Sequence, residues 1–278
     1  MTEAVKIVTF INIIFVVLFI LSGMFPGIIG ELIYYLAFFI PIFVGFHYSK
    51  GLRHKREEVA GVAEPADTLF SFDKRKTGTF LPLVAPAVLL IFLTSLLTSL
   101  ILSAFGVTAP LVEDKGIAKM LISHALFPAF FEEALFRYIP MKLLLPYSKR
   151  WCVVYSALCF ALIHCSFYQM PYAFLAGILF MLIDISYESV WPSVILHFIN
   201  NSVSVVWMKY CSELVSGICF ATVLVLTALV SIVFIFRRKE EYKLMFVEAM
   251  SKGEKSSVIY APFALAAITF YIALINLY

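Results

Sequence analysis

The sequence predicts an all-α fold, a polytopic transmembrane helix bundle of about eight or nine helices. Two observations predict it. Of 278 residues, 62% are hydrophobic and 14% charged, with a mean hydropathy of +0.97, well outside the range of ordinary soluble domains. Apolar stretches of roughly 20 residues, the length that carries a helix across about 30 Å of hydrocarbon, recur along nearly the whole chain and leave no room for a large soluble domain.

The first span, 4–22, has no small-x-small cleavage site with a secreted domain after it, so it reads as a retained helix rather than a signal peptide. The second and third spans, 27–48 and 80–105, flank a polar loop from Lys50 to Gly78 that carries Lys50, Arg53, Lys55, Arg56, Lys74, Arg75 and Lys76. Four spans follow at 117–145, 151–168, 171–187 and 192–208. The eighth, 214–236, runs into a second basic segment with Arg237, Arg238, Lys239, Lys243, Lys252 and Lys255, and the ninth is placed at 257–277. Both basic segments are expected on the cytoplasmic side, which puts the N-terminus in the cytoplasm. They also suit contact with anionic membrane lipid. The net charge of +3 is small and sits in loops, so no nucleic-acid partner is expected. Five cysteines, Cys152, Cys159, Cys165, Cys211 and Cys219, lie in or beside apolar segments without C-x-x-C pairing and read as small hydrophobes.

An ionisable side chain inside a span costs at least roughly 2.5 to 3.5 kcal/mol near the membrane centre, so clusters are informative. The fourth span holds Glu132, Glu133 and Arg137. Glu133 and Arg137, at i and i+4, can neutralise one another. Glu132 points about 100° away, with no partner along the helix. A desolvated, unpaired carboxylate suits a general base for water; the alternative is a packing network of all three. The fifth span carries His164, and the seventh presents His197 and Asn201 on one helical face. A lone intramembrane histidine is most often a packing residue. Two, with an amide and an unpaired glutamate, favour a shared site. Asp184 and His124 belong to no such constellation and read as structural, whereas Gln169 and Pro171 are placed to line an entrance.

Glu-Glu-x-x-x-Arg at 132–137, Phe-x-x-x-His at 160–164 and His-x-x-x-Asn at 197–201 resemble, in order, the three motifs of the CPBP family, the CAAX protease and bacteriocin-processing (Abi) proteins. The resemblance covers about residues 117–209. It implies a helical membrane fold with a membrane-embedded conical cavity and a glutamate-dependent endopeptidase mechanism. Glu132 would activate water, His164 would assist, His197 and Asn201 would stabilise the oxyanion, and Glu133 and Arg137 would support the site. One departure is Tyr138, where many bacterial members have glycine. The chain then divides into a two-helix hairpin with its basic loop (1–79), a catalytic core (80–210) and a two-helix extension (211–278).

No cofactor is expected, although His164, His197 and Glu132 would also make a competent zinc set. An oxyanion-donating Asn201 fits the non-metal reading better. The sequence lacks His-Glu-x-x-His, Gly-x-Gly-Asp and Gly-x-Ser-Gly, the signatures of zinc, aspartyl and serine intramembrane proteases. The resemblance implies a membrane-associated peptide or protein substrate, either prenylated or a bacteriocin or signal-peptide precursor, with nothing in the sequence selecting among these, and the expected location is a bacterial plasma membrane. The alternative is a non-enzymatic regulator or immunity scaffold of the same fold. A proton-coupled transporter would also bury Glu and His, but the paired repeats of such proteins are not found. One conflict remains within this threading: His164 falls near the outer end of its span, Glu132 near mid-membrane and His197 near the inner end of its own. For them to meet, the fifth helix is tilted or sunk, or a boundary is wrong by several residues.

Overall fold

The computed structural model describes residues 2–61, 80–106, 116–210 and 213–249, and they are helical almost throughout. Eight helical runs are present among them, and the span expected at 257–277 lies outside the described residues. Five helices are long and apolar enough to cross a membrane. The chain is a multi-pass helical membrane protein.

Helices α1 (Thr2–Met24) and α2 (Gly27–Ala60) form a hairpin through Phe25 and Pro26. The inner face of α1 repeats Ala4, Val8, Ile11 and Phe15 at helical spacing, all buried. At 34 residues, about 51 Å at 1.5 Å per residue, α2 is longer than the hydrocarbon is thick. The loop expected from Lys50 therefore starts only at Gly61, whose φ of 66° ends the helix in the left-handed region. Two contacts continue the helix over its basic stretch. Arg53 pairs with Glu57 one turn on, at 2.9 Å, and Lys55 reaches Glu3 of α1 at 2.6 Å.

After α3 (Phe80–Ala104), one continuous run alternates geometry: α4 (Ile117–Leu121), a π segment (Ile122–Leu126), α5 (Phe127–Glu133), a second π segment (Ala134–Tyr138) and α6 (Ile139–Leu143). The amides of Phe127 and Ile139 bond the carbonyls five residues back, Ile122 and Ala134. The second π segment turns the Phe136 carbonyl outward, where it accepts from Ser156 Oγ of α7 (Lys149–Leu162).

Fourteen residues make α7 about 21 Å long, short of a full crossing. The span expected to reach residue 168 ends six residues sooner, and the chain turns at depth. Cys165, at φ 47°, takes the left-handed turn usually left to glycine, and Gln169 and Met170 amides close onto Ser166 before α8 (Met170–Tyr187) begins. This resolves the threading conflict. His164 sits inside the bundle because its helix is short. Close contact between α7 and α8 fixes that depth, since a Cβ on Gly177 would lie 2.6 Å from Ala157 Cα.

α9 (Trp191–Tyr210) starts on a buried cap: Asp184 of α8 accepts from the Ser193 amide at 3.1 Å and the Ser193 hydroxyl at 2.6 Å. α10 (Glu213–Ala249) continues past the expected end at 236 and kinks at Arg238.

Candidate active site

Glu132 and Glu133 close α5 immediately before the second π segment, and both are buried. Glu133 contacts two basic side chains on opposite sides. Its Oε2 lies 3.3 Å from Arg137 Nε, and its Oε1 accepts from His197 Nδ1 at 2.7 Å. The Arg137 contact is an ion pair by distance without an aligned hydrogen bond, since none of the three guanidinium nitrogens satisfies bond geometry. The guanidinium is also held over the Phe160 ring, 4.1 Å from its centroid. That ring meets His164 and His197 edge-on, at 5.1 and 5.5 Å between centroids. Phe160 thus packs against three members of the cluster.

Both imidazoles are fixed as to tautomer. A backbone carbonyl can only accept, so the 2.8 Å contact between His164 Nδ1 and the Phe160 carbonyl places hydrogen on Nδ1. A carboxylate on Glu133 does the same for His197. In their neutral forms both rings therefore carry an open lone pair on Nε2. His197 Nε2 stands 4.0 Å from Glu132 Oε2, and that oxygen has no hydrogen-bond partner among the described residues.

Asn201 is oriented at two points. Its Nδ2 donates to the His124 carbonyl in the first π segment at 3.0 Å, and its Oδ1 accepts from Asn200 Nδ2 at 3.1 Å. One N–H of the Asn201 amide is left over.

Glu132, His164, His197 and Asn201 all line one open cavity of about 340 Å³, together with Tyr34, His124, Gln169, Tyr172 and Asn200. All four residues proposed from sequence are brought together. Glu133 and Arg137 lie behind the wall, fully buried. Of the two residues placed at an entrance, Gln169 lines the cavity, whereas Pro171 is exposed outside its lining. Asp184 caps α9, whereas His124, expected to stand outside any constellation, lines the cavity beside the site residues and its carbonyl holds Asn201. Among the described residues no three His, Cys, Asp or Glu side chains gather in a way that could hold a metal ion, so the zinc set would need rearrangement.

Residues 114–203 match the family model described as Type II CAAX prenyl endopeptidase Rce1-like. This bears out the CPBP resemblance. The match covers about a third of the chain and contains all three motifs. No curated protein and no solved structure matched. The Rce1-like segment supplies every polar residue named above except Tyr34, which with Phe19 and Phe38 enters the cavity from the preceding hairpin. Sequence reasoning missed Tyr34, Tyr172, Asn200 and the tie from Glu133 to His197. Only Asn200 had a signal, its place beside Asn201.

Proposed function

We propose that the chain is an intramembrane endopeptidase in which Glu132 activates water against a peptide bond of a membrane-associated or lipid-modified substrate. The observation that carries this reading is Glu132 lining the cavity with a buried, unpartnered Oε2 4.0 Å from His197 Nε2. A water bound by Glu132 and the open Nε2 of His164 gives one proton to Glu132 while its oxygen bonds to the scissile carbonyl carbon. The carbonyl oxygen takes the resulting negative charge, and the spare N–H of Asn201 donates to it. His197 joins as a second donor when Nε2 is protonated, and the Glu133 carboxylate at Nδ1 balances that positive charge. The C–N bond then breaks and the proton held by Glu132 passes to the leaving amine.

The test uses the full chain in membranes and a prenylated C-terminal peptide, the substrate named in the family description, as the first probe. Glu132→Gln should lower cleavage by about two orders of magnitude or more, the weight of a general base, with folded protein unchanged and chelators without effect. Activity lost to a chelator and restored by zinc would replace this mechanism with the metal one. Full function in the Gln variant would favour the non-enzymatic scaffold.

A further inference from the structure

A second concavity lies outside the site, between α3, α8 and α10. Helix α10 touches α3 at Phe220–Phe92, with ring centroids 5.8 Å apart, and again where Tyr242 donates to the Pro82 carbonyl. Between these contacts α10 spends twenty-two residues against ten of α3, about 33 Å of helix against 15 Å. Its course is broken by the kink at Arg238. Beside the kink is an open groove of about 320 Å³. Leu83, Leu90, Leu179 and Leu182 form one wall, and Ile235, Tyr242 and Phe246 the other.

One charged side chain lines this groove, Lys239. It is the third of three basic residues, Arg237, Arg238 and Lys239, that follow the apolar run ending at Phe236, where a spanning helix meets the headgroup layer. No ion pair to Lys239 forms among the described residues; neighbouring Arg238 instead pairs with Glu241, at 3.1 Å. Past the kink, helical spacing puts Lys239, Tyr242 and Phe246 on one stripe, while Glu240 and Glu241 turn away from it. An apolar channel with a lone, unpaired cation at headgroup level matches one occupant in a bilayer.

We propose that the groove holds one anionic glycerophospholipid, an acyl chain lying between α3, α8 and α10 and the phosphate paired with Lys239. The surrounding bilayer supplies such a lipid, so no dedicated ligand is needed.

The full chain in nanodiscs of mixed phosphatidylglycerol and phosphatidylcholine should retain one phosphatidylglycerol per chain through detergent extraction, read by native mass spectrometry. Lys239→Gln should cut the preference for phosphatidylglycerol about fivefold, the weight of one basic side chain near an anionic surface. Arg237→Gln, exposed and absent from the groove lining, should leave the retained lipid in place. Equal loss in both variants would mean a diffuse annulus of anionic lipid and would overturn the proposal. So would equal retention of the two lipids, displacement of phosphatidylglycerol by a prenylated peptide, or no retained lipid, as when residues beyond Ala249 fill the groove.

Discussion

Glu133 Oε1 accepts a 2.7 Å hydrogen bond from His197 Nδ1, so the glutamate paired along its own helix with Arg137 also orients an imidazole on a helix sixty-four residues later. Glu133→Gln should therefore act twice. It strands the buried Arg137 charge, at a cost of about 3 to 5 kcal/mol, and replaces a charged acceptor for His197 with an amide. Joint removal of both charges in Glu133→Gln, Arg137→Met should restore most of the folded yield while cleavage stays low. Thermal unfolding in detergent and peptide cleavage, measured on the same preparations, separate the two effects; full activity in the double variant would remove Glu133 from the positioning of His197.

At Asn201 the expected loss is larger than at its neighbour. Asn201→Ala removes an oxyanion donor and should reduce cleavage by roughly 10²-fold to 10³-fold. Asn200→Ala removes only the bond that orients that amide, worth about 0.5 to 1.5 kcal/mol, and should cost roughly twofold to tenfold. Equal losses at the two positions would place Asn200 in contact with substrate.

Helix contact sets the depth of His164, and two glycines allow a comparison. An alanine Cβ at Gly177 would meet the Ala157 backbone at 2.6 Å, whereas at Gly45 it would meet the Ile139 side-chain end at 2.6 Å. Gly177→Ala should destabilise the fold by about 1 to 3 kcal/mol and lower activity, because backbone cannot step aside as a side-chain end can. Gly45→Ala should lower the unfolding temperature less. Equal shifts would show that α7 and α8 separate without resistance.

Asp184→Ala should destabilise by about 1 to 2 kcal/mol through loss of the cap on α9, and should reduce cleavage because His197 lies one turn beyond Ser193. Asp184→Asn, which keeps an acceptor for the Ser193 amide, should recover most of the stability. An alanine variant with unchanged melting and activity would contradict the cap.

Much of this arrangement is legible in the chain. Ionisable and amide side chains are rare in apolar spans, so Glu132, His164, His197 and Asn201 stand out against their surroundings, and their cost in lipid favours their meeting. The depth of His164 is not legible, because the apolar run continues through Ile163 and Phe167 and hides the end of α7. The usual stop signal is missing as well, with Cys165 where glycine normally marks a left-handed turn. The helical extension of α2 through Ala60 was hidden differently, since its charges mark the end of the hydrocarbon rather than the end of the helix. The π segments read as ordinary helix, because nothing in Ile122–Leu126 or Ala134–Tyr138 distinguishes a five-residue hydrogen-bond step from a four-residue one.

Those two segments make chain length, and not only residue identity, a constraint on the site. Each accommodates one residue more than an α-helical turn holds, so deleting any single residue from Ile122–Leu126 would let the run relax into continuous α-helix. A π step absorbs its extra residue as a bulge, so the helix downstream would keep its face and the change would fall within the bulge, where the His124 carbonyl accepts from Asn201 Nδ2. Asn201 would lose that anchor with every catalytic side chain still present. In this stretch a gap of one residue is expected to cost activity through the aim of the Asn201 amide, while Glu132 keeps its place on the wall.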